Sequence, residues 1–278
     1  MKDRANLSTG ESDVTEIKRV LLTGAAGQLG ILVSDYLTRR LEAGELETVT
    51  LSDVQPVASD HPQVRCVQCD LADEQAVDAM VQGVDAIIHL GGISVESDWK
   101  SLTRANLVGS INLWEAAQRR GIDRIIFASS NHAVGRYPSD EVIDHTAPVR
   151  PDSRYGVTKS FGEDLAWLYS ARGDVRGFCI RIGSCLAEPK TVRHRSTLLQ
   201  HDDFMQLLAI GLAGDYRFEV VFGASDVPRP YWDNRNAERL GYRPTFHPQD
   251  FERFELADDE TTYVGGPFAV GKIDVPEL

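Results

Sequence analysis

Arg19-Val-Leu-Leu-Thr-Gly24-Ala-Ala-Gly27-Gln28-Leu29-Gly30 is the stretch on which the fold depends. Val20, Leu21 and Leu22 make an apolar run of strand length, and Gln28–Arg40 continues with the periodicity of an amphipathic helix. Between them stand Gly24, Gly27 and Gly30. Glycine at such positions permits a tight turn, close approach of the backbone to a bound diphosphate, and close packing of helix on strand. The first turn of the helix, with Gln28 and Leu29, then offers unpaired N–H groups to phosphate oxygens.

Outward from this turn the pattern repeats. Strand-like runs at Glu47–Ser52, Val64–Cys69, Ala86–Leu90, Arg124–Ser129 and Gly177–Ile182 alternate with helical stretches at Asp73–Gln82, Trp99–Arg119 and Tyr155–Tyr169. Asp73 stands where an N-cap is wanted. The alternation predicts an α/β fold, a Rossmann-type doubly wound parallel sheet with helices on both faces. Residues 1–17 are polar without a core pattern and read as a flexible N-terminal arm. Residues 18–186 read as the nucleotide-binding core. After Ala187 the pattern loosens around Pro228, Pro230, Pro244 and Pro248, so 187–278 reads as a small C-terminal substrate lobe of the same structural domain.

Composition narrows the partners. The 278 residues carry 29 Lys and Arg against 42 Asp and Glu, a net charge of −13. Nothing in the chain resembles the basic footprint of a nucleic-acid binder. No apolar run reaches the ~18–20 residues of a membrane span, and the opening residues lack the apolar centre of a secretory signal. A soluble, cytoplasmic protein with a small-molecule substrate is expected. Cys66-Val-Gln-Cys69 has the spacing of a zinc or redox pair. It lies on an alternating, strand-like segment with no second pair, so it reads as packing, and no metal is expected.

The ends of the strands carry the polar chemistry. Asp53, 23 residues beyond Gly30, closes the second strand. A carboxylate there accepts from ribose hydroxyls and repels a 2′-phosphate, which favours NAD over NADP. Asp70 and Leu71 close the third strand, where Asp70 either reaches the adenine amino group or caps the next helix. Leu90, Gly91 and Gly92 end the fourth, small enough to let a cofactor lie flat. Tyr155-Gly-Val-Thr-Lys159 puts a phenol and an ammonium on one helical face. Free tyrosine, with a pKa of about 10, is a poor base at neutral pH. A neighbouring cation favours the phenolate, and lowering the pKa by ~3 units takes ~4 kcal/mol, a task for Lys159 together with the positive nicotinamide ring. Ser130, at the end of the strand before this helix, can hold the reacting oxygen.

Taken together, the glycine triplet, Asp53, Asn106-Leu-Val-Gly109, Ser129-Ser130 and Tyr155-x-x-x-Lys159 resemble the extended short-chain dehydrogenase/reductase family from Lys18 to Ile182. The resemblance adds Asn106 to the cofactor-binding set. Within that family, Gly91-Gly-Ile-Ser94-Val-Glu, Ala128-Ser-Ser-Asn-His132, Arg181-Ile-Gly-Ser184-Cys185, His201-Asp-Asp-Phe204 and Tyr231-Trp-Asp-Asn234 are similar to a bacterial branch that oxidises free sugar acids. This implies NAD-dependent oxidation of D-glucuronate or D-galacturonate at C1 to the aldarolactone, and a homo-oligomer. It also implies that Tyr155 takes the C1 hydroxyl proton while Lys159 lowers its pKa and binds the ribose. Ser94, Ser130, Asn131, His132 and Ser184 would line the sugar hydroxyls.

Arg193 would fork onto the substrate carboxylate, a planar guanidinium suiting that task, with Arg195 as the other candidate. Two other readings share these residues. A nucleotide-sugar epimerase or dehydrogenase keeps the same Tyr and Lys but usually has a larger C-terminal region. A non-catalytic NAD(H) sensor keeps the glycine turn and tends to lose Tyr or Lys.

Overall fold

The computed structural model of the chain describes residues 16–259 and 261–273. Nearly all of the expected N-terminal arm, 1–17, therefore lies outside the described residues. The first half alternates β1 (Arg19–Thr23), α1 (Gln28–Glu42), β2 (Thr48–Asp53), β3 (Val64–Gln68), α2 (Glu74–Met80) and β4 (Ala86–His89). A long helical segment comes next: α3 (Trp99–Leu102), a π-helical stretch (Thr103–Val108) and α4 (Gly109–Arg120). Then come β5 (Arg124–Ser130), α5 (Arg154–Arg172) and β6 (Arg176–Ile182). The remainder holds β7 (Ser184–Cys185), α6 (His194–Thr197), β8 (Leu198–Leu199), α7 (His201–Ala213), β9 (Phe218–Gly223) and α8 (Arg235–Arg239).

Seven strands form one parallel sheet in the order β3-β2-β1-β4-β5-β6-β9. The order reverses between β1 and β4, which opens a crevice at the carboxyl ends of the strands, the place where such sheets bind ligands. Strand side chains alternate between two cores. Val20 and Leu22 pack with Val33 and Leu37 of α1 and Leu207 and Leu208 of α7. Leu21 packs on the opposite face with Val77 of α2, Trp114 of α4 and Ala166 of α5.

Local chemistry sets the element ends as expected. The Asp73 carboxylate accepts from Ala76 N–H at the start of α2, and the Ser153 hydroxyl from Gly156 N–H at the start of α5. Gly24 has φ +76°, and a Cβ at Gly30 would fall 2.0 Å from the Gly24 carbonyl. The turn therefore closes only with glycine at both positions.

Two features depart from the sequence reading. The boundary drawn at 186 cuts the sheet, because β9 pairs with β6 along its whole length and α7 fills the core beneath it. The prolines after Ala224 interrupt only the segment beyond β9. Cys66, read as a packing residue, is exposed on the edge strand β3, whereas Cys69 is buried. Among the described residues no helix is long and apolar enough to cross a membrane.

Candidate active site

A cleft of about 680 Å³ lies along the carboxyl ends of β1, β2, β4, β5 and β6. Its outer arm is built by the first half of the chain. Gly24, Gly27, Gln28, Leu29 and Gly30 line it, and no side chain caps the N-terminus of α1. The first N–H groups of that helix are thus free to meet an anion. Asp53 lines the same arm, its oxygens accepting from Ala26 N–H (3.0 Å) and Gln55 N–H (2.9 Å). The buried hydroxyl of Ser52 beside it has no partner among the described residues.

Asp70 and Leu71 also face this arm. Asp70 is not the cap of α2, a task Asp73 performs. It accepts from Ala72 N–H (2.9 Å) and pairs with Arg104 (2.6 Å), contacts that hold its carboxyl below the usual range. Gly91 and Gly92 form the floor with Leu90. A Cβ on Gly91 would press on Leu71 at 2.9 Å. These glycines and helix amides fit a dinucleotide, and Asp53 lines the same arm.

Asn106 departs from its expected role in cofactor contact. Its amide accepts from Ile93 N–H (2.8 Å) and donates to the Ile93 carbonyl and the Thr158 hydroxyl, both at 2.9 Å. Both of its N–H groups are committed to protein, so it supports the floor from behind.

The inner arm brings Ser130, Asn131, His132, Tyr155, Lys159 and Ser94 together. Ser130 ends β5 and caps the short 3-10 turn Asn131–Val134 by accepting from His132 N–H. Lys159 donates to the Ala128 carbonyl at 2.8 Å, and its Nζ lies 5.5 Å from the centre of the Tyr155 ring. Burial pushes the Lys159 ammonium down to about 8. Burial pushes the Tyr155 phenol up to about 12, although the facing Ser130 hydroxyl pulls it down and the charge of Asp152 adds to the rise. In the protein alone, desolvation of the nearly enclosed phenol outweighs the lowering by Ser130.

Ser184 and Arg193 are turned differently from the expectation. The Ser184 hydroxyl bonds to Oγ1 of Thr197 (3.0 Å), the last residue of α6 before β8. Arg193 is mostly buried; its Nη2 donates to the Val264 carbonyl (2.7 Å) and its guanidinium packs on Gly266. Asn131 meets both neighbours when its amide oxygen faces Arg193 (3.1 Å) and its nitrogen faces the Ile182 carbonyl (3.2 Å). The Arg193 Nε is buried and meets no partner among the described residues. Arg195 instead lies over the Phe251 ring, so Arg193 is the arginine that meets Asn131 at the site.

Three neighbours of the site escaped the sequence reading. Glu96 accepts from Tyr155 N–H (3.0 Å) and pairs with Arg154, tying the start of α5 to the loop that carries Ser94. Asp152 pairs with His132 (2.8 Å) from a fully enclosed position. Phe268 packs against the His132 ring with centroids 4.4 Å apart. Asp152 and Glu96 sit close in sequence to Tyr155 and Ser94, a proximity that could have marked them; nothing in sequence ties Phe268 to His132.

This sheet order, glycine turn and Ser–Tyr–Lys cluster are those of an NAD-linked sugar-modifying enzyme fold, and the chain belongs to the NAD dependent epimerase/dehydratase family, whose model matches residues 20–201. Within it, the chain is similar to the uronate dehydrogenase of Pseudomonas putida, 43% identical over 265 residues that cover 92% of this chain and 97% of that one. A mutant of the uronate dehydrogenase from Agrobacterium tumefaciens complexed with NAD superposes with a TM-score of 0.82 at 41% identity, covering 91% of this chain and 97% of that one. The glucuronic acid dehydrogenase from Chromohalobacter salexigens gives 0.85 at 40% identity, covering 92% and 98%.

Proposed function

We propose that this protein oxidises D-glucuronate and D-galacturonate at C1 with NAD, releasing the aldarolactone. One observation carries the reading: Ser130, His132 and Tyr155 share the inner arm of a cleft whose outer arm is the glycine turn and Asp53. The similarity to uronate dehydrogenases along nearly the whole chain supports the substrate class.

In this reading Gly24–Gly30, Asp53, Asp70, Leu71 and Leu90–Gly92 hold the cofactor. Bound NAD supplies the hydride acceptor and the positive charge of its ring. Ser130 donates to the C1 oxygen and fixes it against Tyr155. Tyr155 takes the C1 hydroxyl proton as the C1–H bond gives up its hydride, leaving a C1 carbonyl within the ring, which is a lactone. Lys159 holds the ribose and adds positive charge near the phenol. Ser94, Asn131 and His132 meet the remaining hydroxyls. Arg193, which meets the amide of Asn131, is the group for the substrate carboxylate. Ser184 acts there only by exchanging Thr197 for a sugar hydroxyl.

Residues 187–278 serve as the substrate-side part of the domain. The protein works in the cytoplasm as a homo-oligomer. The test is NADH appearance with D-glucuronate, D-galacturonate and the matching neutral sugars, with NAD and NADP in parallel. Fast reduction of NAD by the uronates alone is expected. Silence with both uronates overturns the reading.

A further inference from the structure

His132 is held by an unusual partner. Asp152 is completely enclosed, and its Oδ2 lies 2.8 Å from His132 Nδ1. Its Oδ1 accepts the proton of the Ser153 hydroxyl at 2.7 Å, while that hydroxyl oxygen caps α5 by accepting from Gly156 N–H. Two glycines from distant parts of the chain make room for the carboxylate. A Cβ at Gly135 would stand 1.8 Å from Oδ2, and one at Gly265 would stand 1.7 Å away. The backbone of Gly265 donates to the Gly135 carbonyl, closing the cradle. His132 Nε2 makes no hydrogen bond among the described residues, and the ring lines the cleft edge-on to Tyr155, with centroids 5.7 Å apart.

A carboxylate accepts and does not donate, so His132 Nδ1 must carry the proton. In its neutral form the ring presents a bare lone pair at Nε2. Only a donor can meet it. Beside the C1 hydroxyl at Tyr155 and Ser130, a hexuronate ring has two oxygens on adjoining atoms, the ring oxygen and the C2 hydroxyl. The ring oxygen has no proton to give.

We infer that Asp152, acting through the tautomer of His132, makes this site read the C2 hydroxyl of the sugar acid as a hydrogen-bond donor. Asp152 is here a positioning residue, and the inference rests on the uronate reading above. In Asp152→Asn the Ser153 hydroxyl still needs an acceptor, so the amide oxygen takes the Oδ1 place. The NH2 group then faces His132 and moves its proton to Nε2, the same wrong-tautomer effect that an Asp→Asn change produces in serine proteases.

The experiment combines spectroscopy with kinetics. In 15N-histidine-labelled protein, with His132→Gln used for assignment, the wild type should show the Nδ1–H tautomer and Asp152→Asn the Nε2–H tautomer. With D-glucuronate, kcat/KM should fall at least about tenfold in Asp152→Asn, with NAD affinity unchanged. With the 2-deoxy uronate the wild type should already be slow, and the variant should cost little more, since coupled groups do not add. His132→Gln, which retains a donor for Asp152, should show the same loss of C2 dependence. An unchanged tautomer, or an equal penalty on both substrates in both variants, overturns the inference. A wild type that is silent with every uronate instead overturns the functional reading on which it rests.

Discussion

Glu163 of α5 and Arg181 of β6 form a two-pronged ion pair sealed inside the protein, Nε to Oε1 at 3.0 Å and Nη2 to Oε2 at 2.9 Å. Ser129 donates to the same carboxylate and stands directly across from Arg181 in the sheet register. Glu163 lies one helical turn beyond Lys159, so the pair fastens α5 to the two strands whose ends carry the chemistry.

Removing one partner of a buried pair strands the other charge, at a cost of about 3–5 kcal/mol. Glu163→Ala should therefore lower the unfolding free energy by that amount in urea titrations. Arg181→Met in the same background should recover part of it, because no unpaired charge is then left inside.

Tyr155→Phe keeps the ring, its burial and its contact with His132, and removes only the hydroxyl. Turnover should fall by about 10²–10⁴-fold, the scale of general acid–base catalysis. NAD affinity, measured by calorimetry, should change little. A variant with wild-type turnover would remove Tyr155 from the chemistry.

In the proposed reading, Asp53 offers its oxygens to the adenosine ribose and its negative charge opposes a 2′-phosphate. Asp53→Ser should raise KM for NAD about tenfold, the scale of a lost hydrogen bond to a charged group. Turnover with NADP should become measurable. Initial-rate comparisons with both cofactors check this, and an unchanged NAD/NADP ratio counts against the assignment.

Lys159 has its pKa lowered by burial from 10.5 to about 8. Below pH 8 the lysine is charged in folded and unfolded chains alike, and the folded state bears the full penalty. Between pH 8 and 10.5 the unfolded chain binds more protons than the folded one, so this group makes stability rise with pH. Lys159→Met should thus be the more stable protein at pH 7, by about 3 kcal/mol at 1.36 kcal/mol per unit, and nearly inactive. The gap in unfolding free energy should close as pH approaches 10.5. A constant gap across that range would show that packing, not charge, sets it.

Much of the scaffold was legible because its signals are local. The glycine turn, the strand-length apolar runs and the Asp73 cap each depend on a few adjacent residues, and the structure places them within a residue or two of the expected bounds. The last strand was not, since Phe218–Gly223 becomes a strand only by pairing with β6 after α7 crosses the sheet. At the site, strand ends could be read from spacing, whereas Asp152 and Phe268 reach His132 through tertiary contacts. Asn106 was found for its position and misread in its direction: its amide looks back toward Ile93 and Thr158. Burial raises the Tyr155 phenol in the protein alone, an effect that no residue spacing reports.

The pairing of β9 with β6, from Gly177↔Phe218 to Ile182↔Gly223, also bears on how a sugar acid gets in and out. Six backbone partners weld the substrate side to the nucleotide side through one continuous sheet. The two sides of the cleft thus share one sheet rather than meeting as separate bodies among the described residues. Entry and exit then fall to the loops that overhang the strand ends, while the sheet beneath them is shared by both sides of the cleft.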